Sequence, residues 1–160
     1  MKRGTTLFLK LAVMFIGIPV LALCIFLVPE ISKYMEELYP QTPSLKYLVY
    51  IGLYATAIPF YFALYQALKL LNHIDSNDAF SESSVKALKA IKYCAITISI
   101  LYVLNLPLFY LFAEKDDAPG VIVVGLVMIF APTVIAVFAA VLQRLLQEAF
   151  MIKSENDLTV

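Results

Sequence analysis

Four stretches of this chain, residues 11–28, 47–65, 93–112 and 121–142, contain no Asp, Glu, Lys, Arg or His. Each holds 18 to 22 residues, close to the ~20 needed to cross ~30 Å of hydrocarbon at 1.5 Å per residue. Together they take up half of the chain, and no remaining stretch is long enough to bury a soluble core of its own. Charged residues make up 15% of the sequence, against ~25% in ordinary globular domains. The expected fold is therefore all-α: an integral membrane protein with four transmembrane helices in a compact bundle, forming one domain over residues 1–160.

The first stretch follows "MKRGTTLFLK", which has the positive start of a secretory signal. A cleaved signal ends in small residues of the Ala-x-Ala kind, and "CIFLVPE" offers none. "LALC" invites a lipoprotein reading, but Leu23 is bulky where a small residue is needed, and the apolar run continues past Cys24. A retained membrane helix is the better reading. Cys24 and Cys94 are distant from each other and sit inside apolar runs, so they indicate neither a disulfide framework nor a metal site.

A formal net charge of zero hides a sided distribution. Assigning loops alternately, one side receives residues 1–10, the loop 66–92 and the tail 143–160. That side carries nine of the twelve Lys and Arg: Lys2, Arg3, Lys10, Lys69, Lys86, Lys89, Lys92, Arg144 and Lys153. The other side holds Lys33, Lys46 and Lys115 among six acidic residues. Positive charge in short loops marks the cytoplasmic face, so both termini and the central loop are expected in the cytoplasm, with the chain in the plasma membrane. On the opposite side, Ile31, Tyr34, Met35 and Leu38 recur at helical spacing between Pro29 and Pro40, which predicts a short helix lying in the interface.

Ion-coupled transporters and proton pumps need ionisable groups within the membrane, and the spans have none. Each carries one proline (Pro19, Pro59, Pro107, Pro132), a residue common in membrane helices, whose neighbours re-satisfy the freed carbonyls. Tyr47, Tyr50, Tyr54, Tyr61 and Tyr65 share one face of the second span. Tyr54 and Tyr61 lie deep and need hydroxyl partners, with Asn105, Tyr102, Ser99 and Thr97 of the third span as candidates. Tyr54, Tyr61 and Asn105 are thus read as interhelical polar contacts. The single histidine, His73, lies near Asp75 and Asp78, but one His with two carboxylates is a poor transition-metal set. There is no phosphate-binding Gly-rich loop or nucleophile elbow. Neither enzymatic activity, nor a catalytic residue, cofactor or metal is expected.

The segment "NDAFSESSVKALKAIKY" (77–93) reads as a capped helix start. Ser81 is a suitable N-cap, Phe80 and Val85 form a hydrophobic staple, and Glu82 can pair with Lys86 one turn on. Lys86, Lys89 and Lys92 would face anionic headgroups. Phe80, Ser81, Val85, Lys86 and Leu88 match the pattern Pro-Phe-Ser-x-Glu-Asn-Val-Lys-Arg-Leu, while Ala79, Ser83, Ser84 and Ala87 depart from it. The ending "SENDLTV" (154–160) is similar to Asp-Leu-Thr-Ile. In both segments the chain resembles the YoaS-like group of bacterial membrane proteins, a domain family of unknown function. The resemblance implies four spans and no known reaction. Members of that group look to be encoded beside small helix-turn-helix regulators, which implies such a regulator as a soluble partner.

Two functions follow as expectations. The first is a non-enzymatic interaction, sensing or regulatory module, using Phe80, Ser81, Val85, Lys86 and Lys89 of the loop with Asp157, Leu158 and Thr159 of the tail. Leu145, Leu146, Ala149, Phe150 and Ile152 would supply an apolar strip, ending in an exposed, β-compatible "ENDLTV". The second is a small transporter or permeability factor for an uncharged or amphipathic molecule. The partners expected are the lipid bilayer and a soluble protein, with no direct nucleic-acid binding and the oligomeric state left open. The charge asymmetry makes a direct prediction: a reporter active only outside the cytoplasm, fused after Val160, should be silent, and a cytoplasm-active one should give signal. The reverse pattern would refute the orientation.

Overall fold

The computed structural model describes residues 3–76 and 81–158, and these are helical almost throughout. α1 (Arg3–Ala22) passes through a π-helical segment (Leu23–Leu27) into α2 (Val28–Leu38), followed by α3 (Ser44–Asp75), α4 (Glu82–Lys115) and α5 (Gly120–Leu158). Four helical rods, the first being α1 with α2, are long and apolar enough to cross a membrane. Pro19, Pro59, Pro107 and Pro132 lie inside helices that continue through them.

The rods are arranged as an arc. α1 packs on α3, α3 on α4 and α4 on α5, while α1 and α5 nowhere approach each other among the described residues. The compact bundle expected from sequence is therefore open on one side. Small residues explain which pairs are close. In lipid, helices associate by packing rather than by escape from water, so small side chains mark the seams. Gly125, Ala136 and Ala139 are the buried residues of α5, and a Cβ on Gly125 would lie 3.2–3.3 Å from Leu106 and Phe109 of α4. On α1 the matching position is Gly17, where a Cβ would come within 3.2 Å of Leu64. Most other large side chains of α1, including Phe8 and Phe15, are exposed, as is Phe26 of the π-helical segment.

The π-helical segment has a cause in the sequence. Val28 N–H donates to Leu23 O, five residues back instead of four. The next donor in that register would be Pro29, which has no N–H. The Cys24 carbonyl thus loses the backbone partner it would have in either register, and the Tyr54 hydroxyl of α3 donates to it at 2.9 Å. Because the segment keeps the chain helical, α2 is not a separate helix lying in the interface, as the prolines suggested. It prolongs the first span, and its apolar side meets protein. Met35 is buried with Leu45 and Val49, and Ile31, Leu108 and Phe112 pack around them.

Tyrosines fasten α2 to the turn between α4 and α5. Tyr34 donates to Asp116 Oδ1 at 2.7 Å, and Tyr39 donates to Leu111 O at 2.7 Å. Lys115 lies over the Tyr39 ring, and Lys46 reaches Glu36 at 3.4 Å. Asp117 closes the turn at φ 50°, a left-handed conformation that Asp tolerates better than most residues. Tyr34→Phe removes the hydrogen bond to Asp116 and should lower stability in detergent unfolding by the modest amount that a single hydrogen bond contributes. Unchanged stability would show that the Tyr34–Asp116 bond does not report on the fold.

Candidate functional site

On its concave side the arc encloses a cavity of about 770 Å³. All four rods line it, with Val20 and Leu27 on the first, Leu53 and Phe60 on α3, Ile98 on α4 and Met128 on α5. Among the described residues no charged side chain lines it, and the hydrogen-bonding side chains on its wall are Thr56, Tyr102 and Asn105. On α3 the lining runs from Val49 to Ala67, about 27 Å at 1.5 Å per residue. Thr56 lies 2.7 Å from Leu53 O and 3.4 Å from the Tyr102 hydroxyl. It has one proton to give, and the shorter contact takes it. The 3.4 Å separation is long for an O–H···O bond, which leaves the Tyr102 hydroxyl weakly engaged beside the cavity.

The three residues singled out for interhelical contacts all cross between helices, but to other partners than those expected. Tyr54 and Tyr61 reach α1 and its π-helical extension, not the third span: Tyr61 donates to Gly17 O at 2.7 Å, and Tyr54 to Cys24 O. The Asn105 amide donates to the backbone carbonyl of Gly52 at 3.1 Å. Gly52 permits this approach, since a Cβ there would collide with the Asn105 amide. Ser99 turns the other way, to Ile129 O and Thr133 of α5, and Thr97 bonds within its own helix. Backbone carbonyls were the partners missed. Pro29 was the available signal for one of them, because it withholds a donor from Cys24.

The second candidate surface lies at the basic end. Ser81 caps α4, accepting from Ser84 N–H at 3.2 Å, and Glu82 meets Lys86 at 3.6 Å. Ser84, Ala87 and Leu88 are buried, whereas Lys86 and Lys89 are exposed and Val85 is half-buried. Lys10 bonds Asp75 at 2.7 Å and so ties α1 to the end of α3. The tail is not β-compatible chain: α5 stays helical to Leu158, with Asp157 and Leu158 exposed. Of its apolar strip, Leu146, Ala149 and Phe150 are half-buried while Leu145 and Ile152 face outward. Phe80 and Thr159 lie outside the described residues, as does Asp78, named with His73 and Asp75. No group of three or more metal-ligating side chains occurs among the described residues.

Sequence comparison gives this geometry a family. Residues 30–160 match the family described as "Protein of unknown function (DUF2975)". The chain belongs to that family. It is also 68% identical, over the whole length of both chains, to a Bacillus subtilis (strain 168) protein described as "Uncharacterized membrane protein YoaS". No solved structure matches. The DUF2975 match begins within α2 and takes in α3, α4 and α5, hence Tyr54, Tyr61, Asn105 and the whole basic end apart from α1. The chain is a membrane protein of unknown function with four candidate spans.

The Asn105–Gly52 pair yields a test of the α3–α4 seam. Asn105→Leu should cost on the order of 1 kcal/mol, because hydrogen bonds between membrane helices contribute ~0.6–2 kcal/mol. Gly52→Ala should cost more, roughly 1–3 kcal/mol, through overpacking. With Asn105→Ala measured alone as well, the Gly52→Ala/Asn105→Ala double variant removes the collision, so its cost should be less than the sum of those two single costs in unfolding measured in bicelles. Strict additivity would mean that the two residues do not touch.

Proposed function

We propose that this protein is a non-enzymatic interaction, sensing or regulatory module of the bacterial plasma membrane. In this reading both termini are cytoplasmic and the basic end is the working surface. The observation that supports it is the length of α5. Past Leu142 the helix continues for 16 residues to Leu158, about 24 Å. A headgroup layer is about 5–8 Å thick on each side, so the last turns stand clear of the lipid in water. α3 and α4 overrun their apolar stretches at the same end. The exposed side chains there include both charged and apolar ones: Lys86, Lys89 and Arg144, and Leu145, Ile152 and Leu158. A soluble helical protein, such as the small helix-turn-helix regulator implied by the resemblance, fits such a surface. The exposed ion pairs Glu82–Lys86 and Arg144–Glu148 contribute little to stability and are free to exchange partners.

One observation favours the second reading, a small transporter or permeability factor. The cavity reaches Asn105. With no charged residue on its wall, cargo passing along it would be uncharged or amphipathic.

The first reading is tested by crosslinking in intact membranes. Deleting residues 154–160 should release the soluble partner while the protein still inserts. Charge reversal at Lys86 and Lys89 should alter lipid contact more than partner capture. Identical partner profiles from the full-length and shortened proteins would rule the reading out.

A further inference from the structure

We propose that the cavity is a binding site for the apolar chain of a single bilayer lipid, which enters sideways between the first and last spans. The ligand class follows from the shape and the wall. The cavity volume of about 770 Å³ falls within the ~300–1,000 Å³ of ligand pockets. Its ~27 Å run along α3 is close to the ~30 Å of the hydrocarbon core, so an extended chain fits along it without leaving the apolar depth. The wall is uncharged, so a headgroup is not drawn in and remains at the interface while the chain occupies the slot.

The opening faces lipid. α1 and α5 do not approach each other, and nothing from this chain among the described residues closes the space between them. The walls of the two flanking spans argue against another helix as the occupant. Their lining is mostly of large side chains, Ile16, Leu23 and Leu27 on the first rod and Val124, Met128 and Ile135 on α5, with Ala131 the small residue among them. Helix pairs in membranes approach through Gly, Ala and Ser, whereas these large flexible and branched side chains suit a narrow chain. α2 covers one end of the slot with Ile31 and Met35, and Ala67, Ile91 and Ile135 line its other end. The π-helical segment contributes Leu23, Cys24 and Leu27 to the wall, and such segments occur often at functional sites.

The chain contains no Trp, so one introduced Trp gives an unmixed signal. Met128→Trp places it on the cavity wall, and Val127→Trp places it on the exposed outer face. Each protein is reconstituted in phosphatidylcholine nanodiscs whose acyl chains carry bromine, a contact quencher, and then diluted into bromine-free detergent. Both Trp residues should be quenched in the nanodisc. On dilution Val127→Trp should recover at once, and Met128→Trp should stay quenched because its lipid is retained. Absence of quenching at Met128→Trp, with quenching at Val127→Trp, would mean that protein fills or closes the slot. Equally fast recovery would mean ordinary surrounding lipid. Either result overturns the proposal. A measurement on the unaltered chain guards against misfolded variants. Intact mass spectra from mild detergent should show one retained lipid per chain, lost in Ala57→Phe and Ala131→Phe, and absence of that adduct in the unaltered protein also overturns the proposal. None of these readouts depends on a soluble partner, so they stand or fall separately from the tail-deletion test.

Discussion

Inside hydrocarbon a backbone carbonyl that loses its helical partner has no water to turn to, and the cost of leaving it bare is several kcal/mol. That constraint acts at Cys24. Pro29 withholds one donor, the shift of Val28 N–H to Leu23 withdraws the other, and the Tyr54 hydroxyl on α3 takes their place. Since α1 packs on α3 alone among the spans, this bond and the Tyr61–Gly17 bond form much of what fixes its position, with Lys10–Asp75 holding the basic end. α1 is thus attached along one line, not surrounded, and it is α2 that reaches α4.

An attachment along one line has a geometric consequence. With α3, α4 and α5 joined through small-residue seams and α1 held only by α3, the rods curve into an arc and leave its concave side lined but unfilled. Membrane helices can tolerate this because leaving apolar side chains in contact with lipid carries no penalty of the kind water imposes. The same openness in a water-soluble bundle would expose the walls of the slot to solvent and collapse it.

The two ends of the molecule are built differently. At the acidic end, hydrogen bonds from Tyr34 and Tyr39 fasten α2 to α4 and the turn at Asp116–Asp117. At the basic end, helices run on past the apolar depth and present exposed lysines and an exposed helical tail.

Much of this was legible in the chain itself. Four charge-free runs of spanning length require helices, because only helices or closed barrels satisfy their backbone in lipid. The Ser81 cap and the Glu82–Lys86 pair are local, so residues three and four apart determine them. The need of Tyr54, Tyr61 and Asn105 for polar partners was likewise readable from their depth. Which partners they take was not, because each is a backbone carbonyl on another helix, and carbonyls are present at every residue and carry no sequence signal. That α2 continues the first helix instead of lying in the interface also depended on more than local pattern, since Met35 needed Leu45 and Val49 to pack against. Sequence by itself determined that the chain enters a membrane, how many times it can cross and which loops carry the positive charge, all of which follow from residue type and spacing. Tertiary structure alone decided that the spans form an open arc with a cavity, because that depends on which helix faces approach, and in lipid the choice rests on the fit of a few small residues and hydrogen bonds between segments far apart in the chain.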